Sequence, residues 1–356
     1  MKQIDPLILW YTRNQRNLPW RENRDPYRVW LSEIILQQTR VDQGIPYFYK
    51  LLSHYPHVQS LANSTEDELL TLWSGLGYYS RALNLLKTAR IISNDFNGVF
   101  PASYSILLSL PGIGPYTAAA IASIAFDLPQ PAIDGNAIRV YSRWNAIEGI
   151  PNTQNFKTSI LNFASQFFNT FSPGTINQAI MELGATICTP ISPNCSTCPL
   201  NQQCTAFQTG STALFPQKAK KTKQKSRTLN YLILFNVDYT SVALVKRDHS
   251  DIWKGLLEPI PIPESQLKLF NLSEEPQTQY LKVDNKDTQP LYLTTITHIL
   301  SHQRITANFF ITSESPSYIS SHPITFYSLE QIDKLPLPAL FVKLFNNLPK
   351  HQYFSG

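Results

Sequence analysis

Over residues 1–187 the apolar positions recur at helical spacing. Asp25-Pro26 is a start signal, a capping acid followed by proline at the first helical position. The stretch Val29–Arg40 after it is apolar on most faces, which predicts a central, buried helix. Thr65 and Glu68 have the spacing of a capping box ahead of Leu69, Leu70, Leu72 and Trp73. Ala82, Leu83, Leu86, Ala89 and Arg90 resume the helical period beyond Gly75-Leu76-Gly77, and Pro115 opens an alanine-rich helix through Ala125. The period then changes. Thr228–Val237, Ser241–Lys246, Thr294–Thr297 and Ile305–Thr312 alternate or run apolar in β-branched and aromatic residues, as strands do. The pattern predicts a helical domain over 1–215 and a separate α+β domain over 229–356. Residues 216–228 would link them, and no internal repeat is visible.

Composition adds limits. The chain has 356 residues, 43 % of them hydrophobic, enough for several packed cores and too many for a disordered chain. No run of 18 apolar residues occurs, so no membrane partner is expected. Met1-Lys2-Gln3-Ile4-Asp5 lacks the apolar stretch of a secretion signal. The expectation is a monomer in a bacterial cytoplasm, associated with the nucleoid. The net charge of +5 weakly suggests a polyanion. Lys218, Lys220, Lys221, Lys223, Lys225 and Arg227 account for it, and the remainder is close to neutral; such a run is also what a solvated linker looks like.

The four cysteines all lie in one stretch, as Cys188-x6-Cys195-x2-Cys198-x5-Cys204. Without a secretion signal, thiols gathered in this way suggest metal ligation rather than disulfides. Zinc and an iron–sulfur cube both accept four thiolates. A zinc ribbon pairs two C-x2-C knuckles, whereas here one C-x2-C carries a longer arm on each side.

Leu110-Pro111-Gly112-Ile113-Gly114-Pro115-Tyr116-Thr117 joins two helical segments. Gly112 and Gly114 would let the backbone approach a ligand, and the next helix start would favour a phosphate. An ordinary helix junction fits the same residues. Asp134 lies twenty residues beyond Gly114, in Ile133-Asp134-Gly135-Asn136, where it could equally be a helix N-cap.

Together these strings resemble the adenine DNA glycosylase (MutY) family of the endonuclease III, or helix-hairpin-helix, superfamily. Further strings carry the resemblance: Leu18-Pro19-Trp20-Arg21, Ser32-Glu33-Ile34-Ile35-Leu36-Gln37-Gln38-Thr39, Gly75-Leu76-Gly77-Tyr78-Tyr79-Ser80-Arg81 and Met181-Glu182-Leu183-Gly184-Ala185. It spans about residues 6 to 207. It implies an all-α glycosylase core with an iron–sulfur cluster loop, a [4Fe-4S] cluster on Cys188, Cys195, Cys198 and Cys204, and duplex DNA containing adenine opposite 8-oxoguanine or guanine as substrate. Where related bifunctional enzymes carry a nucleophilic lysine this chain has Tyr116, so the resemblance implies base removal without strand cleavage.

Breaking an N-glycosidic bond calls for one carboxyl to protonate the base and another, ionised, to stabilise an oxocarbenium-like sugar. The resemblance gives these roles to Glu33 and Asp134, with Tyr116 and Asn136 positioning them. On a helix Glu33 is flanked by Val29, Trp30 and Leu36, an apolar setting that would keep it protonated. The resemblance also places Gln38 and Tyr78 in the base stack, Tyr78 beside the oxidised guanine. Gly112 and Gly114 would lie at the phosphates, with Trp20, Arg21 and Glu182 around adenine.

The C-terminal half resembles the Nudix-like domain that these glycosylases append. The strings are Lys246-Arg247, Trp253-Lys254-Gly255-Leu256-Leu257-Glu258 and His298-Ile299-Leu300-Ser301-His302. It has no acidic Nudix box, so nucleotide hydrolysis is not expected. Ser301 and His302 would read the lesion, although Leu300 stands where the family has phenylalanine. A same-fold glycosylase for another mismatched base and a non-catalytic iron–sulfur DNA-binding protein are the alternatives. The Leu-Gln-Gln string beside Glu33 disfavours the first, and the pairing of Glu33 with Asp134 disfavours the second.

Overall fold

A computed structural model describes residues 4–151, 153–217, 224–236, 238, 240–247, 252–264, 267, 291–300, 303–312 and 323–348. They fall into two compact units, Met1–Ser64 with Leu83–Lys220 and Thr65–Ala82 with Lys221–Gly356. Among the described residues no helix is long and apolar enough to cross a membrane.

The first unit is helical. Its central helix, Pro26–Leu36, begins as its sequence dictates: the Asp25 carboxylate accepts from Tyr27 N at 3.0 Å, and proline occupies the first turn. Val29, Trp30, Leu31, Ile34 and Ile35 are buried. The helix stops at Leu36, short of the predicted Arg40, because the apolar run ends there and Gln38 adopts a left-handed φ of +60°. A second cluster joins the helices Asp5–Asn14, Gly135–Trp144, Gln154–Ser165 and Pro173–Thr186 through residues such as Leu7, Tyr141, Phe156, Ile176 and Leu183. The hairpin is formed by helices Tyr104–Ser109 and Pro115–Phe126.

The second unit holds two sheets. One orders β4 (Ile260–Pro261), β1 (Lys225–Leu234), β6 (Gln303–Thr312) and β5 (Leu291–Ile299); β1 runs parallel to β6, and the other two pairs are antiparallel. The other orders β3 (Leu257–Glu258), β2 (Ser241–Lys246) and β7 (Thr325–Ser328). Strand β1 begins inside the stretch expected to be linker, since Lys225–Thr228 pair with Gln303–Thr306. Their exposed, charged character hides an edge of β structure. The helix Ala339–Asn347 covers one face with Leu340, Phe341, Leu344 and Phe345.

Candidate active site

In the first unit a cleft of about 430 Å³ is lined by residues from five separate segments, Glu33, Tyr116 and Asp134 among them. The Tyr116 hydroxyl donates to Glu33 Oε2 at 2.6 Å. Burial pushes the Glu33 carboxyl up to about 7, with the nearby Asp134 charge adding to the rise; the Tyr116 hydrogen bond and Arg21 oppose it. Half of Glu33 therefore carries a proton near neutral pH, as an acid catalyst needs.

Asp134 is the N-cap of Gly135–Trp144 and also faces the cleft, so its two sequence readings are compatible. Its carboxylate accepts from Ala137 N at 2.6 Å and from Asn136 Nδ2 at 2.9 Å. Burial raises its pKa, while these donors and the Arg139 charge pull the other way. Glu33 has one hydroxyl donor in view. Asp134 has N–H donors from Ala137 and from both the side chain and the backbone of Asn136, at a helix N-terminus, and these stabilise a charge.

Asn136 is held in turn. Arg139 donates to Asn136 Oδ1, the Gly184 carbonyl and the Cys188 carbonyl, each at 2.7 Å. Gly184 is small for a reason: a Cβ there would come within 2.6 Å of Asn136 Cβ and 3.1 Å of its backbone. The pattern of apolar positions gave no sign of Arg139.

The other expected site residues separate. Trp20, Arg21 and Gln38 line the cleft. Glu182 is completely buried behind it, its oxygens taken by Arg16 Nε at 2.6 Å and Arg21 NH2 at 2.8 Å. Burial alone would raise Glu182, but the two arginines hold it below the usual carboxylate value. Its neighbours Gln178, Met181 and Ala185 line the cleft in its place. Their i, i+3, i+7 spacing was a usable signal for one helix face. Tyr11 donates to Gln178 Oε1 at 2.9 Å, which orients that amide.

Gly112 has φ +75°, and a Cβ there would meet Asn84 Cβ at 2.7 Å, so glycine is required. Gly114 caps the Pro115–Phe126 helix with φ −88° and has open space where a Cβ would point. Tyr78 lies in the second unit, half exposed, with φ +48°. Ser301 and His302 lie outside the described residues; beside them Leu300 N donates to Gln303 O at 2.9 Å. In the same unit Glu258 is buried in an ion pair with Arg247 at 2.6 Å, where it accepts also from the Tyr231 hydroxyl.

All four cysteines line one small cavity with Arg143. Burial raises the Cys195 and Cys204 thiols and pushes Cys198 up to about 12, with repulsion between neighbouring sulfurs adding to it. Such a set is stable as thiolates only beside a compensating positive charge. Among the described residues no three His, Cys, Asp or Glu side chains are placed to hold a single metal ion. The almost wholly buried Arg143 guanidinium fastens the loop, donating to Cys188 Sγ at 3.4 Å and to the carbonyls of Thr189 at 2.7 Å, Pro190 at 3.2 Å, Thr212 at 3.0 Å and Phe215 at 3.1 Å.

Residues 31–165 match the model of the HhH-GPD superfamily of base excision DNA repair proteins, and residues 230–347 match a NUDIX domain. An adenine DNA glycosylase from Buchnera aphidicola (subsp. Acyrthosiphon pisum) is 32 % identical over 97 % of both chains. The Buchnera enzyme from Schizaphis graminum is 43 % identical over 60 % of this chain, a match spanning 62 % of that relative. The human adenine DNA glycosylase is 42 % identical over 57 % of this chain and 39 % of its own length. Among solved structures, a thermostable thymine-DNA glycosylase shares the fold with a TM-score of 0.52 and 24 % identity, covering 58 % of this chain and 95 % of that one.

Proposed function

The chain belongs to the adenine DNA glycosylase family of base excision repair, with a helical helix-hairpin-helix core and a Nudix-like second domain, and from that premise we propose that it removes adenine opposite 8-oxoguanine, or opposite guanine, without cutting the strand. Duplex DNA is the substrate. One observation carries the chemistry: Glu33 and Asp134 face one cleft, with Glu33 half protonated near neutral pH and Asp134 fixed by hydrogen-bond donors.

In the proposed reaction the flipped adenine enters the cleft, which Trp20 and Met181 help to line. Glu33 gives its proton to a ring nitrogen of adenine as the sugar–base bond breaks, and the bonding electrons leave with the base. Asp134 stabilises the oxocarbenium-like sugar and Asn136 holds that carboxylate; water then adds to the sugar and gives up a proton to the Glu33 carboxylate, which restores the acid. Tyr116 steadies the Glu33 carboxylate and offers no amine for a covalent adduct. Arg16 and Arg21 supply donors to the base from a pair of guanidiniums fixed by Glu182. Gln38 and Tyr78 would fill the emptied stack, and Ser301 with His302 would test the opposite base. The turn at Gly112 and Gly114 would meet the backbone phosphates.

The cysteine set suits a [4Fe-4S] cluster, held by Cys188, Cys195, Cys198 and Cys204. When bound, the cluster supplies the positive charge that four thiolates require and joins the arms of the loop. Iron analysis of anaerobically prepared protein should give roughly four irons per chain; zinc in their place would exclude the cluster. Single-turnover base release should be fastest on adenine opposite 8-oxoguanine, slower opposite guanine and absent for thymine opposite guanine. Strand breaks should appear only after hot alkali. Thymine release would favour the same-fold alternative.

A further inference from the structure

Segment 65–82 belongs to the same compact unit as 221–356, although it is distant in sequence. Among the described residues, two contacts tie it to the C-terminal part of that unit. Lys246 Nζ lies 3.0 Å from Asp67 Oδ1, but both side chains are more than half exposed, and such pairs contribute little. Tyr79 is different. It is 5 % exposed, and its hydroxyl donates at 3.0 Å to the backbone carbonyl of Leu337, a fully buried residue of the C-terminal core.

The adjoining residues have a conformation that must be held. Gly75, Gly77 and Tyr78 all have positive φ, at +94°, +70° and +48°, and Tyr78 has a side chain to strain. Trp73 Nε1 donates to the Gly77 carbonyl at 3.1 Å, and Arg81 NH2 donates to the carbonyls of Leu76 at 3.3 Å and Gly77 at 3.1 Å. The Arg81 guanidinium lies 5.2 Å from the Trp73 ring centre and 5.6 Å from that of Tyr78. These contacts shape the turn locally. Only the Tyr79 hydroxyl, among the tethers named here, is both buried and directional.

We infer that Tyr79 is a positioning residue for lesion discrimination: its hydroxyl fixes the neighbouring Tyr78 to the C-terminal core at Leu337, so that the side chain entering the base stack moves with the Nudix-like unit. The inference rests on the proposed role of Tyr78. Tyr79→Phe in the full chain keeps the buried ring and removes only the donor. It should lower the ratio of affinities for adenine opposite 8-oxoguanine over adenine opposite guanine about fivefold, the equivalent of about 1 kcal/mol at 1.4 kcal/mol per tenfold. The single-turnover excision constant at saturating enzyme should stay unchanged, and amide exchange should quicken over 74–82. A bond that serves stability alone would lower the melting temperature and leave the affinity ratio intact, and that result overturns the inference. Tyr78→Ala, measured beside it, separates the two levels. A lowered ratio in Tyr78→Ala with an unchanged one in Tyr79→Phe defeats the positioning role only; an unchanged ratio in Tyr78→Ala defeats the reading beneath it.

Discussion

Replacing Glu33 with glutamine should abolish excision and at the same time stabilise the protein in alkali. Glutamine keeps the size and an acceptor for the Tyr116 hydroxyl but has no proton to give. Loss of a general acid typically costs about 10²- to 10⁴-fold in rate. With its carboxyl pushed from 4.5 up to about 7, wild-type Glu33 is protonated in both folded and unfolded chains at low pH and costs nothing. As pH rises through 4.5 the unfolded chain ionises first, and stability falls until the folded carboxyl ionises near 7. At 1.36 kcal/mol per pH unit the full penalty is about 3 kcal/mol above pH 8, and about 1 kcal/mol at pH 5.5. Glu33→Gln should recover most of that difference, so its gain over wild type in urea unfolding should be larger at pH 8.5 than at pH 5.5. Wild-type excision should fall about tenfold per pH unit above about pH 7. Near-normal excision by Glu33→Gln would falsify the acid assignment. An equal stability change at both pH values would mean that the carboxyl is not raised.

Asp134→Asn should fold, because asparagine caps a helix about as well as aspartate, yet release adenine at least about 10²-fold more slowly; normal release in a base-release assay would remove Asp134 from the chemistry. Tyr116→Phe takes away the hydrogen bond that lowers the Glu33 pKa, so the alkaline fall in the pH–rate profile should move to higher pH by on the order of one pH unit; a move to lower pH would reverse the assigned sign. Gly184→Ala puts a methyl group against Asn136, and about 1–3 kcal/mol of stability should be lost along with excision rate; an unaffected enzyme would mean that Asn136 is free to shift.

Local signals were legible wherever one segment sufficed. Asp25-Pro26 and the Thr65–Glu68 capping box formed as read, because a cap needs only residues two or three apart. The grouping of Glu33 with Asp134 came from resemblance, and no period of either segment could have supplied it. Glu182 marks the limit. Its carboxylate is satisfied by Arg16 and Arg21, more than 160 residues away in sequence, so nothing near it distinguishes a pocket wall from a pocket floor. Arg139 and Arg143 carry no sequence signal for the same reason: the acceptors that surround each guanidinium, mostly backbone carbonyls, come from distant segments.

Arg139 has a consequence for the making of the enzyme. The guanidinium that orients Asn136 against Asp134 also grips the carbonyl of Cys188, the first residue of the cysteine loop. A newly synthesised chain whose loop has not closed possesses both carboxyl groups but lacks one anchor for the group that aims Asn136. Maturation of the loop and readiness of the active site are thereby linked through one side chain.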